Sequence, residues 1–369
     1  MKITFLCSVV SLGGGSRVTS THAKNLTEFG HSVSVISRAQ RPVPLRSRIR
    51  GMLRNQAPVL RPANTYYFDP LGDRHRQVPR DYDLQPKDLP DADILIGTWW
   101  ETAYDVARMP PEKGRKVYFV QGHEVHDHIP KERSALTYTL PLKKIAVSQW
   151  LVDVMAGTYG DGDVSKVLNA VDGDLFNAPM RQRQARPTVG MMYATAPFKG
   201  VSVALEAVAR LRKAYPDLRL LVFGKTAPSS DLPLPDFAEF HCAPAGPDIA
   251  KLYASCDAWI MPSFTEGYGL PIIEALACRT PVVSTAVGAA RDLITPGQTG
   301  FITEPGDSAA MADRLAEILA LPDADWQRFS EAAHAKAHGY NWQDASRQFE
   351  QVLQDLVSEQ ALTAPGSVM

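Results

Sequence analysis

The tightest constraint on the fold lies between Asp257 and Ala277. Asp257-Ala258-Trp259-Ile260-Met261 is an apolar run of strand length with a β-prone centre, and Ile272 to Ala277 reads as helix. Between them runs Phe264-Thr265-Glu266-Gly267-Tyr268-Gly269-Leu270-Pro271. Pro271 suits a helix start, where an N–H is unpaired anyway. The stretch therefore predicts strand, glycine-rich loop, helix. Gly267 and Gly269 let backbone approach a ligand, and the helix start offers free N–H groups with partial positive charge. That is a cradle for a phosphate or diphosphate. Glu274 lies one turn into the helix, placed to reach a hydroxyl beside the phosphate, and Glu266 in the loop is placed for the ligand's other end. Two carboxylates flanking a diphosphate suit a sugar nucleotide.

The same alternation runs through the chain. Ile3 to Val10 reads as a buried strand, followed by Ser11-Leu12-Gly13-Gly14-Gly15-Ser16, a helix with Val18, His22, Leu26 and Phe29 on one face, and a second strand from His31 to Ile36. A dinucleotide-binding fingerprint would need a third glycine where Val18 stands and an acid where Ser37-Arg38-Ala39-Gln40 offers none. Further strands are predicted at Asp93–Gly97, Lys116–Val120, Lys144–Val147, Val189–Tyr193, Leu218–Gly224 and Thr280–Thr285. Helices are predicted after Ser148, from Val201 to Ala214, from Asp248 to Ala254, after Asp307, and with an apolar face of Trp342, Ala345, Phe349, Val352, Leu353 and Leu356. Thr98-Trp99-Trp100-Glu101 ends one strand; its paired tryptophans either stack on a sugar or close a core, and the residue type leans to the core.

Composition narrows the class. The chain has 369 residues, enough for two domains, with 45% hydrophobic and 21% charged content, as in soluble globular proteins. Formal net charge is −1, so no global field argues for nucleic acid. Cys7, Cys242, Cys256 and Cys278 form no Cys-x-x-Cys, which suits a reducing cytoplasm and argues against zinc or a disulfide framework. No apolar run is long enough to cross a bilayer, and the N-terminal segment reads as a strand, with export the minority reading. Seven arginines and no acid lie between Arg38 and Arg61. This insertion, running to Pro90, is either solvated or binds an anionic acceptor or an anionic membrane surface, with Arg46, Arg48, Arg50 and Arg54 as the groups to test.

Glu266 and Glu274, with seven residues between them that include Gly-Tyr-Gly-Leu-Pro, resemble the signature of the retaining GT-B glycosyltransferases, glycosyltransferase family 4. The resemblance is densest from Lys199 to Gly300 and thinnest from Arg38 to Pro90. It implies two doubly wound Rossmann-like domains facing across a cleft: residues 1–180 on the acceptor side, with a helix from 341–360 crossing back to it, and 187–340 binding the nucleotide sugar. Asn169-Ala170-Val171-Asp172 resembles the segment closing the first domain, with Ala170 in place of the usual glycine.

By the same resemblance Lys199 is the cation on the donor diphosphate, since Ala194-Thr195 replaces the family's Gly-Arg. Tyr268, Gly269 and Leu270 supply N–H groups, and Glu274 holds the ribose. Glu266 and the loop residue His123 position the transferred sugar; Gly14 and Gly15 lie near donor phosphate and acceptor, and Gly224 borders the nucleotide. Relatives commonly carry Pro-Glu where Arg291-Asp292 stands here. The implied activity is metal-independent, retaining hexosyl transfer from a nucleotide-diphosphate sugar to a glycan or lipid-linked acceptor, with no cofactor, in polysaccharide biosynthesis. His123-Glu124 alone would invite a metal or general-base reading, and His126 and His128 follow without a second cluster. A sugar-nucleotide 2-epimerase of the same architecture, or a catalytically silent partner of another glycosyltransferase, are the alternatives.

Overall fold

A computed structural model describes residues 1–11, 13–39, 66–78, 83–127 and 129–363. The predicted arginine-rich contacts Arg46, Arg48, Arg50 and Arg54, together with His128, lie outside the described residues. Two compact units result. The first comprises Met1–Ala146, Met155–Ser165 and the chain from Ser346 on; the second comprises Val147–Val154 and Lys166–Ala345.

The first unit is built on β1 (Lys2–Val9), β2 (Ser32–Arg38), β3 (His75–Val78), β4 (Ile94–Gly97), β5 (Arg115–Val120), β6 (Lys143–Ala146) and β7 (Val164–Lys166). Its helices are α1 (Gly14–Glu28), α2 (Trp100–Arg108) and α3 (Lys131–Leu136), with the latter part of α4 (Gln149–Tyr159). The strand order is β3-β2-β1-β4-β5-β6-β7. β1 pairs in parallel with β2 on one side and β4 on the other, so the order reverses beside it. The second unit carries β8 (Thr188–Tyr193), β9 (Arg219–Gly224), β10 (Ala238–Cys242), β11 (Ala258–Met261), β12 (Val282–Thr285) and β13 (Gly300–Thr303) in the order β10-β9-β8-β11-β12-β13. Its helices are α5 (Val201–Ala214), α6 (Gly246–Ala254), α7 (Leu270–Ala277), α8 (Ala290–Leu293), α9 (Ser308–Ala320), α10 (Asp323–His338) and the start of α11 (Trp342–Thr363). Here β8 is the strand flanked on both sides, by β9 and β11.

Each sheet is buried on both faces, which is why its strands read as near-continuous apolar runs. β4, β11 and β12 are buried at every position. In the second unit Val189, Met191, Ile260 and Val283 of the sheet pack with Val208, Leu211, Leu315, Ile318 and Trp326 of the helices. In the first unit Phe349 of α11 meets Phe5 (ring centroids 6.3 Å), Phe119 (5.0 Å) and His22 (4.6 Å). Burial pushes the His22 imidazole down to about 3, so it is neutral. Its Nδ1 and the amide of Asn25 both meet Ser346 Oγ at 3.0 Å.

One sequence expectation shifts. The glycine run read as a loop before the first helix is the first turn of that helix, which starts at Gly14 after an extended Gly13. Ser11 Oγ accepts from Gly13 N at 3.1 Å, tightening the turn that feeds it.

Candidate active site

In open parallel sheets, ligands bind beyond the strand carboxyl ends where the order reverses. In the second unit that point lies beyond β8 and β11, where the loops bearing Lys199 and Glu266 emerge. Lys199 closes a short 3-10 turn, Pro197–Lys199, and Gly200 follows with φ 64° and ψ 21°, a left-handed conformation that caps α5. A Cβ on Gly200 would stand 2.0 Å from the Pro262 carbonyl oxygen. Only glycine permits so close an approach. Phe264 N donates to Phe198 O at 2.8 Å, a second tie between the loops. The result is an ion pair: Lys199 Nζ lies 2.6 Å from Glu266 Oε1. Ser263 Oγ donates to the same oxygen at 2.9 Å, and Thr285 Oγ1 donates to Ser263 O at 2.5 Å.

Beyond Glu266 the chain turns into α7. Gly269, at φ 84° and ψ 57°, is its left-handed N-cap residue, and Pro271 falls in its first turn. A helix leaves its leading N–H groups without intrahelical partners. Among the described residues, the amides of Tyr268, Gly269 and Leu270 donate to no protein acceptor. The Tyr268 side chain is buried, and its hydroxyl donates to Asn169 O. Its carbonyl accepts from Ala289 N at 2.8 Å, and a Cβ on Gly288 would come within 2.7 Å of that oxygen. The turn after β12 thus braces the loop from behind. Gly267 O accepts from Ser148 Oγ at 2.8 Å.

Glu274 is buried, and its Oε2 accepts from the Tyr253 hydroxyl at 3.0 Å. Tyr253 is itself fixed by Trp259, 4.5 Å away in a T-shaped contact. Gly224 ends β9, with its carbonyl accepting from Ala243 N at 2.7 Å. Sequence reasoning missed Ser263 and Tyr253. Ser263, three residues before Glu266, was within reach of a local reading; Tyr253 lies 21 residues from its partner, and nothing local marks it.

The remaining candidates belong to the first unit. Beyond its reversal point, next to β1 and β4, lies a cavity of about 640 Å³ whose lining includes Gly15, Trp99, Trp100, Glu101, Gln121, Glu124 and His126. Gly14 and His123 are not in that lining. His123 is half-buried, and its Nε2 meets the Tyr159 hydroxyl at 2.7 Å. Burial, aided by His126, holds its imidazole below the usual range and hence neutral at pH 7. Of the paired tryptophans, Trp100 packs inward while Trp99 stays partly exposed. A larger hollow of about 780 Å³ lies by Arg115 and Lys143, at the amino ends of β5 and β6, away from either reversal point. No group of three or more His, Cys, Asp or Glu residues among the described residues is arranged to hold a metal ion.

Residues 178–336 match the family described as Glycosyl transferases group 1. The whole chain aligns with sucrose-phosphate synthase from Thermosynechococcus elongatus at a TM-score of 0.72 and 17% identity, covering 97% of this chain and 100% of that one. It aligns with Anabaena HepE in complex with UDP and glucose at 0.73 and 16%, covering 96% and 100%. At such identity the likeness shows fold, and the fold is GT-B. By sequence, a D-inositol 3-phosphate glycosyltransferase of Paenarthrobacter aurescens (strain TC1) is 31% identical over 55% of this chain and 50% of its own length. An MMP alpha-(1->4)-mannosyltransferase of Mycolicibacterium hassiacum is 29% identical over 48% and 45%. The chain therefore spans about half the length of the curated relatives it matches.

Proposed function

We propose that the protein is a retaining, metal-independent glycosyltransferase of family 4. It moves a sugar from a nucleotide-diphosphate donor to a hydroxyl of a glycan or glycolipid, and needs no resident cofactor. The observation that carries this reading is the juxtaposition at the second unit's reversal point: a lysine ammonium 2.6 Å from Glu266, beside unpaired amides at the start of α7. The difficulty of the reaction is the charge that builds on the diphosphate as the bond to the sugar breaks. Lys199 and the N–H groups of Tyr268, Gly269 and Leu270 stabilise that charge. Lysine serves as a point charge, without the forked geometry of arginine.

Glu274, oriented by Tyr253, holds the ribose hydroxyls. Glu266 and His123 contact the transferred sugar, Gly224 borders the nucleotide, and Gly14 and Gly15 lie near donor phosphate and acceptor. The acceptor oxygen bonds to the anomeric carbon on the face the diphosphate leaves, and the departing phosphate takes the acceptor's proton. No side chain is assigned as general base. Relatives named as glycosyltransferases and a structural neighbour holding UDP and glucose support the reading. We also place the reaction in the cytoplasm, where the four unpaired cysteines would stay reduced, with the arginine-rich segment contacting an anionic membrane. No described helix is long and apolar enough to cross a membrane.

A thermal-shift screen with UDP, GDP, ADP and dTDP sugars, followed by product analysis, tests the proposal. A stabilising donor and a product of unchanged anomeric configuration are expected, with both binding and turnover lost in Glu274→Ala. Wild-type kinetics in that variant would refute the ribose assignment, and an inverted product the retaining mechanism.

A further inference from the structure

The free amides at the start of α7 are aimed from outside the loop that carries them. Gly267 has no side chain to pack, so its peptide is held only through backbone atoms. Its carbonyl accepts from the Ser148 hydroxyl at 2.8 Å, and the next carbonyl, of Tyr268, accepts from Ala289 N at 2.8 Å. A trans peptide is planar, and its N–H points opposite to its C=O. No peptide bond among the described residues is cis. Holding the oxygens of Gly267 and Tyr268 therefore turns the N–H groups of Tyr268 and Gly269 away from those anchors. These are two of the amides that donate to no protein acceptor.

The Ser148 anchor is itself fixed. Ser148 is fully buried just before α4, and its Oγ also accepts from Leu151 N at 3.3 Å, capping the helix. Its one hydroxyl hydrogen goes to Gly267 and a lone pair to Leu151, which sets its orientation. The neighbouring amide, Gln149 N, donates to Asp292 Oδ2 at 2.9 Å. Asp292 Oδ1 lies 2.8 Å from Lys166 Nζ, and the aspartate side chain is only 6% exposed. Asp292 stands in α8, and its own N–H donates to Ala289 O at 3.0 Å. The segment holding Ser148 is thus tied to the turn that grips Tyr268. All of these residues belong to the second unit.

We propose that Ser148 and Asp292 are positioning residues for the donor diphosphate. Ser148 aims the Tyr268 amide through the Gly267 carbonyl, and Asp292 acts through Ser148 by holding the start of α4. Neither touches the ligand. The inference rests on the glycosyltransferase reading for the diphosphate itself, and goes beyond it in naming what orients the amides.

Isothermal titration of the full chain with UDP, GDP, ADP and dTDP, and with uridine, guanosine, adenosine and thymidine, tests it. Ser148→Ala should weaken binding of the preferred nucleoside diphosphate about tenfold, while its nucleoside, which lacks the phosphates, changes by less than about twofold. General damage to the unit would weaken both alike. Asp292→Ala should give a comparable loss, and it carries the test alone should Ser148→Ala not fold. The double variant should lose little more than either single one, because the two residues act on one carbonyl.

A folded Ser148→Ala or Asp292→Ala chain that binds the diphosphate as tightly as wild type would overturn the inference and leave the transferase reading standing. So would equal losses of diphosphate and nucleoside. Additive losses in the double variant would overturn the route from Asp292 through Ser148. A wild-type chain that binds none of the diphosphates would overturn the transferase reading, and this inference with it.

Discussion

Replacing Gly200 by alanine tests the geometry behind the Lys199–Glu266 pair. A residue with a Cβ at φ 64° pays about 1–2 kcal/mol for the left-handed conformation alone. The new methyl would also sit 2.0 Å from Pro262 O and 2.8 Å from Pro262 C, and both are backbone atoms that no rotamer change can move aside. In a close-packed interior the loop must then retreat by roughly 1 Å or more. Overpacking of this kind typically costs about 1–3 kcal/mol. Together the two effects predict a destabilisation of about 2–5 kcal/mol in the second unit.

The displaced backbone is the one that carries Ser263 and Glu266, so the 2.6 Å ion pair should loosen with it. Guanidinium unfolding followed by tryptophan emission is the assay, because Trp259 and Trp326 are fully buried in that unit. Donor turnover on the same samples reports the loop. An alanine variant within about 0.5 kcal/mol of wild type, with turnover intact, would show that the close approach does not set the site.

Two further predictions follow from buried groups. Tyr253→Phe keeps the ring against Trp259 but removes the hydroxyl 3.0 Å from Glu274, so the affinity for the nucleotide sugar found in the thermal-shift screen, measured calorimetrically, should drop about tenfold, as expected for one lost buried hydrogen bond; unchanged affinity would mean that Glu274 needs no such partner. The Glu124 carboxyl, raised to about 8 by burial, stays protonated in the folded state while the unfolded chain has released its proton, so this group lowers stability as pH rises from about 4.5 to 8. Glu124→Gln should flatten that part of the stability profile measured by denaturation at several pH values, and parallel profiles for variant and wild type would refute it.

The alternation of strand and helix was legible because parallel strands buried on both faces leave long apolar runs. The segments from Val201 to Ala214 and from Ala258 to Met261 stand where periodicity and burial place them. Edge elements were less visible. β3 (His-Arg-Gln-Val) and β10 (Ala-Glu-Phe-His-Cys) are short and only partly buried, so neither shows a clear apolar face. α10 was missed for another reason: much of its buried face is Ser330, Ala333 and Ala337, small side chains that give little hydropathy contrast, anchored by Trp326 donating to Asp257 O at 3.0 Å.

At the site, the residue types from Phe264 to Pro271 predicted a glycine-bearing loop entering a helix, and α7 does start there, with Gly269 as its left-handed N-cap. The lysine's contact with Glu266 across 67 positions could not be read from spacing. It depends on the absence of a side chain at Gly200, which is a fact about the Pro262 backbone and not about any local pattern.

The partnership of Phe349 with Phe5, His22 and Phe119 has a consequence for how the protein is made. The amino-terminal sheet emerges from the ribosome early, yet its aromatic centre stays open until residues beyond Ser346 have been synthesised. Throughout translation of the second unit, the nascent first unit presents a hydrophobic notch that chaperones or neighbouring chains can occupy. Removal of the segment that carries Phe349 would leave the same notch open in the finished protein.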